Sequence, residues 1–446
     1  MRAQSNKLYQ AWICCSRRVG LAKNIKDVMR EALRTTSRMN EEKGLIVTRL
    51  PSVEELEKIL PEWEELDRQV FPRTPFTSPL WNTLWWRHFR AERGMVRDDF
   101  YVHVVRNAEG KLIAVAPLML THRPGNGIAM LRSLQFFGAD PNLTELRGIT
   151  CRAEDQASVA QALHAHFQKD RAHWDWVHWG SVRAEGLAQL LASGGALKYS
   201  RTVPNYCLPV GATWDEFKSK LPRNIKESLR KCYNSLKRDG HVPELKVVTS
   251  LPETEAAINR FFELHRVRAQ VSDTVQHPDV FKTQTSRDFL LEYAKRMAER
   301  DQLRIFQLRI KDEVVATRVG FQFDQQLYLY YSGHDVAWAK YSVMTTAVAE
   351  AIRWAIEQGL SLVNLSTGTD VSKTRWRPEQ VTFHEVVQVA PHLRGKISYA
   401  VYQTMANKVR SSNWMQVVLA GLRRHEAKGE GELSGPDPIP GFDMGS

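Results

Sequence analysis

The apolar positions of the second half of the chain follow helical spacing first and strand spacing later. Residues 213–239 form a long basic helical pattern in which Pro222 permits a break, and a strand pattern follows at about 243–249. Helical spacing also fits 252–270 and 285–300. Strand patterns then follow in close succession at 303–310, 313–323 and 326–332, with Lys311-Asp312 and Asp324-Gln325 as the turns between them.

The segments after these strands predict a crossover between parallel strands. A helix is predicted over 342–358, with Gly359 just past its end, and strands are predicted over 361–366 and 380–389. A strand–helix–strand step from 326–332 to 361–366 implies a parallel pair in an otherwise antiparallel sheet.

The first half mixes helices and strands in a loosely similar order. Its predicted elements are a strand at 44–50, a helix begun by the capping box of Ser52 and Glu55, a tryptophan-rich helix capped by Thr77 or Ser78, strands at 100–106 and 112–120 around the turn Asn107–Gly110, a helix at 156–169 and a strand at 174–180. The whole pattern predicts a mixed α/β fold.

The charge is basic and unevenly spread. The chain of 446 residues has a formal net charge of +12, and residues 1–43 contain ten Lys/Arg against four acids, half of that excess. A basic face attracts nucleic acid, anionic lipid or a polyphosphate such as coenzyme A, but it also serves solubility alone. We interpret 1–43 as a basic extension that is partly disordered, and Met39 is an alternative start.

The composition favours a cytoplasmic protein without a metal. The five cysteines are widely spaced, and neither a CxxC pair nor a histidine cluster offers a zinc site. No apolar run reaches the about 18 residues that span a bilayer. Association with the inner face of the membrane stays open as an alternative.

Several short segments, in this order, resemble one family. They are Pro75-Phe76, the helix with Trp81, Ala116–Leu118, Trp214–Phe217, Arg223-Asn224, Phe262–His265 with Arg268, Tyr330–Gly333, Tyr341-Ser342, Ala351–Ala355 and Gly368 with Lys373–Trp376. Over roughly residues 45–395 the chain resembles GNAT-superfamily acyltransferases of the BioF2-like or CelD-like type, which are related to the FemAB peptidyltransferases.

The resemblance implies a domain organisation. It predicts two tandem GNAT-like domains, each a mostly antiparallel sheet flanked by helices. We place the first at 44–205 and the second at 206–395, and we interpret 396–446 as a C-terminal helix and a disordered tail. The implied chemistry is acyl transfer from a thioester or aminoacyl transfer from tRNA.

The resemblance also implies where an acyl-CoA donor binds. The thioester arm would enter between strands 326–332 and 361–366 where they splay apart, and the pyrophosphate would lie at the start of the next helix. The donor-binding residues would be Tyr331, Ser332, Lys340, Tyr341, Ser342 and Thr345. The family usually has Pro and Gly after the Tyr-Ser pair, whereas this chain has Val343 and Met344, and Ser342 could instead be an ordinary helix cap.

The expected catalytic and acceptor-binding residues come from the same comparison and from their chemistry. Lys373 would stabilise a tetrahedral oxyanion or bind a phosphate, with Trp376 beside it. His265 and Arg268 would face the cleft, and His334 could act as a general base. Glu385 would suit an acceptor amine if its pKa were raised. Arg223, on a basic helical face, would bind an anionic donor or acceptor. Each of these residues also has an ordinary structural explanation, as a packed or solvated side chain.

Three functions remain open from the sequence. The first is acyl transfer from acyl-CoA to an amine or hydroxyl of a small molecule or a cell-envelope saccharide, in association with a polysaccharide synthesis system. The second is FemAB-like transfer from aminoacyl-tRNA, which the lack of a long heptad segment between 240 and 395 disfavours. The third is a non-catalytic scaffold that has lost its donor site. A DNA partner is not expected.

Overall fold

The computed structural model describes residues 44–92, 96–125, 130–140, 142–184, 186, 196–270 and 278–411. The predicted basic extension 1–43 and the tail beyond 411 therefore lie outside the described residues. The strands are β1 (Ile46–Arg49), β2 (Arg97–Phe100), β3 (His103–Arg106), β4 (Leu112–Ala116), β5 (Leu118–Pro124), β6 (Met130–Phe136), β7 (Thr150–Cys151), β8 (Trp176–Val182), β9 (Ala196–Pro209), β10 (Pro243–Val248), β11 (Leu303–Ile310), β12 (Glu313–Phe323), β13 (Gln326–His334), β14 (Leu362–Thr367) and β15 (Glu379–Val389).

The helices lie between groups of these strands. They are α1 (Val53–Lys58), α2 (Leu60–Arg68), α3 (Pro79–Phe89), α4 (Gln156–Lys169), α5 (Trp214–Lys220), α6 (Arg223–Arg238), α7 (Leu251–Ala269), α8 (Gln284–Glu299), α9 (Val343–Glu357), α10 (Val371–Thr374) and α11 (Leu393–Ser411). The break predicted at Pro222 separates α5 from α6. Ser78 caps α3 by accepting a hydrogen bond from the N–H of Trp81, whereas Ser52 makes no side-chain capping bond, so the predicted capping box is wrong.

Two sheets hold the described strands, and the mixed α/β prediction is confirmed. The smaller sheet has the order β1-β3-β4-β7, and the larger has the order β10-β11-β12-β13-β14-β9-β15-β8-β6-β5-β2. In the part of the chain that the structure describes, the parallel neighbours are β13 with β14 and β6 with β8. The crossover predicted through the helix at 342–358 is therefore confirmed, and α4 precedes β8 in the same way.

The turns of the second half follow from local backbone chemistry. Lys311 and Asp324 have φ of 55° and 50°, at the two tight turns that the pattern predicted between β11, β12 and β13. In the first half, the predicted strand 112–120 is divided at Pro117, which has no N–H for a ladder. β4 joins the small sheet, while β5 joins the large one.

Strand β9 connects the two halves of the chain. It pairs with β14 through Asn205–Pro209 and with β15 along Ala196–Cys207. β15 in turn pairs with β8, so the large sheet is continuous across the domain boundary that the sequence placed at 205–206. Where the two domains divide therefore stays a prediction.

An aromatic cluster joins the helices of the first half to the sheet and helices of the second. Trp81 of α3 is fully buried, and its ring lies 4.8 Å from each of Phe76, Phe289 and Tyr293, and 5.9 Å from Tyr330. Such edge-on contacts add to the large apolar area that each ring buries. The first half is thus packed directly behind β13.

Membrane-spanning helices and clusters of metal-ligating side chains are both absent from the described residues. None of the helices in these ranges is long and apolar enough to cross a membrane. The same residues contain no group of three or more metal-ligating side chains. Cys151, Cys207 and Cys232 are buried free thiols.

Candidate functional site

Strands β13 and β14 are paired only at their beginnings. The matched residues are Gln326 with Leu362, Leu327 with Val363, and Tyr328 with Asn364. β13 continues to His334 and β14 to Thr367 without further pairing to each other. The predicted opening between the two strands is therefore confirmed, and we call the space beyond Tyr328 and Asn364 the strand gap.

A β-bulge lies on the β13 side of the strand gap. The register with β12 shifts between Arg318, which faces Ser332, and Gly320, which faces Leu329. Tyr330 and Tyr331 therefore both lie opposite Val319, as in a bulge with two residues against one. A bulge redirects side chains, and here it lets two adjacent tyrosines reach the same neighbouring segment.

That segment is 142–145 of the first half, held by three tyrosine hydroxyls of β13. Tyr331 donates to the carbonyl of Asn142 at 2.6 Å and Tyr330 to the carbonyl of Leu143 at 2.5 Å. The hydroxyl of Tyr328 donates to the carboxylate of Glu145. The first half therefore contributes one wall of the strand gap.

Segment 142–145 is also fixed from its own half. The Asp140 carboxylate accepts from the N–H groups of Leu143 at 2.6 Å and Thr144 at 3.0 Å, and from the indole of Trp85 at 2.8 Å. The indole of Trp81 donates to the Thr144 hydroxyl at 3.0 Å. These bonds hold Glu145 in place before any ligand binds.

Glu145, Ser366 and Lys373 form a chain of hydrogen bonds where the strand gap begins. The Ser366 hydroxyl donates to Glu145 Oε1 at 3.0 Å. Lys373 Nζ lies 3.4 Å from Ser366 Oγ and also donates to the carbonyl of Thr367. Lys373 belongs to the short helix α10, whose start is capped by Asp370. The Ser366 hydroxyl thus contacts both a carboxylate from the first half of the chain and an ammonium group from the second half.

Two arginines also converge on β13 beside the strand gap. Arg268, at the end of α7, donates to Ser332 Oγ at 3.0 Å, and Arg318 of β12 donates to the carbonyl of Leu329 at 3.1 Å. Burial lowers the pKa of Arg318 to about 10, although the charge of Glu145 acts against this. Burial also lowers the pKa of Arg268. Both remain cations at neutral pH.

The two predicted histidines have different environments near the strand gap. His265 is buried, and its Nδ1 bonds to the carbonyl of Ser332 at 3.0 Å, so it ties α7 to β13. Burial lowers the pKa of His265. His334 ends β13, and burial followed by the charge of Arg268 lowers its pKa. Both rings are therefore neutral at pH 7, and only an uncharged ring can accept a proton.

The start of α9 is arranged differently from an ordinary capped helix. Ser342 is exposed, has φ of 53° and makes no side-chain capping bond, which contradicts the alternative of a simple cap. Val343 is buried in a cluster that includes Leu236 and Leu308, and Met344 packs against the same cluster. The two residues that replace the family's Pro and Gly therefore direct their side chains inward.

The other residues predicted at this helix start have structural partners. The Tyr341 hydroxyl donates to Asp239 at 2.9 Å, and Lys340 Nζ lies 4.8 Å from the Tyr341 ring centre. Thr345 is half-buried in the first turn of α9, where its N–H donates to the carbonyl of Ser342 at 2.9 Å. Among the residues predicted at this helix start, Ser342 and Lys340 are exposed to solvent.

Three predicted residues lie away from the strand gap. Trp376 is buried in the core beneath β14, and Arg223 is exposed and pairs with Glu227 at 2.7 Å. Glu385 lies on β15 and bonds to Arg201 at 2.8 Å. Burial raises the pKa of Glu385, but the bond from Arg201 and the charge of Arg147 outweigh it, so the pKa is below its ordinary value. The expectation of a raised pKa is wrong.

Sequence reasoning missed Glu145 and Arg318. Glu145 lies in an irregular segment far from β13 in the chain, so no local pattern marks it. Arg318 did carry a signal, since it is a charged residue within the otherwise apolar strand from Val314 to Phe321. A charge in a buried strand requires a partner and therefore points to a site.

This geometry agrees with a comparison to a known domain family. Residues 223–377 match the family model described as acetyltransferase (GNAT) domain. The second half of the chain carries a GNAT-type domain. The match spans the strand gap, α9 and Lys373 but not Glu145, and the narrower BioF2-like or CelD-like type stays a prediction.

The solved structures that match this chain have very different sequences. The crystal structure of FemX matches with a TM-score of 0.50 at 9% identity, over 74% of this chain and 96% of that one. L-PGS from Bacillus licheniformis matches with a TM-score of 0.40 at 13% identity, over 75% of this chain and 97% of that one. A tandem GNAT protein from the clavulanic acid biosynthesis pathway matches with a TM-score of 0.39 at 10% identity, over 78% of this chain and 99% of that one. No curated protein matches the chain by sequence.

Proposed function

We propose that this protein transfers an acyl group from acyl-CoA to an amine or hydroxyl of a small-molecule or cell-envelope saccharide acceptor. The observation that carries the proposal is the end of β13–β14 pairing at Tyr328 and Asn364. Beyond that point the facing edges of the two strands do not pair with each other. A pantetheine arm, which carries amide groups, can pair with such an edge as a further strand would.

The start of α9 supports the same donor. A helix start presents unpaired N–H groups and the positive end of the dipole, which suit a pyrophosphate. Ser342 is exposed there, and the side chains of Val343 and Met344 pack inward instead of covering the helix start. The bulky residues after Ser342 are therefore compatible with a donor at this position.

The chain Glu145–Ser366–Lys373 supplies the groups that acyl transfer requires. The acceptor nitrogen or oxygen attacks the thioester carbon and gives up a proton, which the Glu145 carboxylate accepts as general base. The ammonium group of Lys373 stabilises the negative charge on the carbonyl oxygen as the tetrahedral intermediate forms. The C–S bond then breaks, and coenzyme A leaves as a thiol after taking up a proton.

Ligand binding by the purified full chain tests this proposal. We expect acetyl-CoA or a longer acyl-CoA to raise the melting temperature, with free coenzyme A competing. A shift with tRNA alone would favour aminoacyl transfer, and no shift with any of these ligands would favour a scaffold. Mass spectrometry of an acceptor mixture incubated with the bound acyl-CoA would then identify the acylated product.

A further inference from the structure

Arg318 has more hydrogen-bonding capacity than the structure uses. Its side chain is directed from β12 towards β13, where Nη2 donates to the carbonyl of Leu329. Its Nε is buried and has no hydrogen-bond partner. A buried donor without an acceptor is costly, particularly on a charged group, so such an atom indicates that something else completes the site.

A second unpartnered atom lies close to the first in the sheet. His334 faces Ala316 in the β12–β13 register, and Arg318 faces Ser332, two residues before His334. The Nδ1 of His334 is also buried without a hydrogen-bond partner. Arg268 reaches the same Ser332 from α7, and its charge contributes to the lowered pKa of both Arg318 and His334.

The nearby carboxylates of Glu145 and Asp370 do not accept a hydrogen bond from Arg318 Nε. Glu145 is engaged by Tyr328 and Ser366, and Asp370 accepts the capping bond of α10 from the N–H of Ser372 at 2.7 Å. Both affect the pKa of Arg318 through space, without a direct hydrogen bond to it.

We infer that the acceptor carries an oxyanion, a carboxylate or a phosphate, which binds to Arg318 and Arg268 beside the strand gap. This rests on the proposed function. The pantetheine arm and the thioester are neutral, and the donor's pyrophosphate has its place at the start of α9, so the two guanidinium groups serve the acceptor. A planar guanidinium with a free Nε–H binds two oxygens of a carboxylate or phosphate side by side.

Matched amines test this assignment in the absence of donor. Ethanolamine, β-alanine and phosphoethanolamine share a primary amine and differ in carrying no anion, a carboxylate or a phosphate. Calorimetric titration of the full chain is expected to show at least about tenfold tighter binding of one anionic amine than of ethanolamine. Whether β-alanine or phosphoethanolamine binds more tightly identifies the oxyanion, with acetate and inorganic phosphate as amine-free probes.

Variants test whether the preference for an anionic amine over ethanolamine depends on Arg318. Arg318→Met should abolish the preference for the anionic amine, and Arg318→Lys, which keeps the charge but lacks Nε, should weaken it by about tenfold. Arg296 is an exposed arginine that pairs with Glu299 on α8, so Arg296→Met is the matched control and should leave the preference intact. If Arg318→Met does not fold, the lysine variant provides the comparison.

Two results would overturn the inference. One is equal or absent binding of ethanolamine, both anionic amines, acetate and phosphate; the other is an anion preference that persists in the Arg318 variants. Acetyl-CoA binding is measured on the same samples. Either of these results with acetyl-CoA binding intact refutes only this inference, whereas absent acetyl-CoA binding by the unaltered protein refutes the proposed function.

Discussion

The Ser366 hydroxyl donates a hydrogen bond to Glu145 across 221 positions of the sequence. Ser366 lies near the end of β14 in the GNAT-type domain, and Glu145 comes from the first half of the chain. The candidate site therefore needs both halves. The aromatic contacts of Trp81 and the hydrogen bonds of the three β13 tyrosines hold the two halves together.

Glu145→Gln should lower turnover by about 100-fold, because an amide cannot accept the acceptor's proton. The amide keeps the size of the side chain, its oxygen can still accept one of the bonds from Tyr328 and Ser366, and its NH2 can donate to the other hydroxyl, so folding should be retained. The measurement is initial-rate kinetics of coenzyme A release at several pH values, compared with the melting temperature.

The control for Glu145 is Glu253→Gln, because Glu253 is an exposed glutamate in the first turn of α7 that pairs with Lys246 of β10. Its kinetics should match the unaltered protein. A Glu145→Gln enzyme with full turnover would remove Glu145 from the role of base and leave it as a connection between the halves.

Lys373→Met should lower turnover by at least about tenfold, which corresponds to about 1.4 kcal/mol of lost transition-state stabilisation. The methionine keeps the length of the side chain but cannot donate to the developing oxyanion. Lys373 is only partly buried and lies on a four-residue helix, so the melting temperature should change little. An unchanged kcat in the presence of a saturating acceptor would show that Lys373 has no part in the chemical step.

Ser342→Val should weaken donor binding, whereas Ser342→Gly should leave it unchanged. Ser342 has φ of 53°, a region that glycine adopts freely and that β-branched residues avoid. The valine variant should be destabilised by roughly 1–2 kcal/mol and should bind acetyl-CoA more weakly, because the helix start would shift. The glycine variant should keep both properties. Equal acetyl-CoA affinity in the two variants would place the pyrophosphate elsewhere.

The sequence predicts the second half of the fold well because its elements are local. Short turns at Lys311 and Asp324, and alternating apolar residues in β11 to β13, are visible within a few residues of each other. Strand β9 was missed because Lys198, Arg201, Pro204 and Asn205 interrupt any alternation. Its extended form is stabilised by pairing with β14 and β15 on its two sides, which no local pattern shows.

The candidate site could be predicted only in part, for a similar reason. Lys373 and Ser342 lie next to regular elements whose order suggested the strand gap. Glu145 is placed by Asp140, Trp81 and the β13 tyrosines, and each of these contacts depends on the tertiary fold. Glu385 suits an acceptor amine only if its pKa is raised, but the ion pair with Arg201 that lowers its pKa comes from a strand that the sequence did not predict.

His103→Gln should make the stability of the protein less sensitive to acid. His103 is fully buried, its Nδ1 bonds to the carbonyl of Tyr101 at 2.8 Å, and burial, followed by the charge of His166, lowers its pKa to about 3. The unfolded chain takes up this proton near pH 6.5, whereas the folded chain does not until about pH 3. The stabilising effect of the neutral ring is therefore complete above pH 6.5 and is lost as the pH falls towards 3, by about 1.4 kcal/mol per pH unit. Melting temperatures between pH 7 and 4 should fall less steeply in His103→Gln than in the unaltered protein. Parallel slopes in the two proteins would show that His103 is not an acid-sensitive group of the fold.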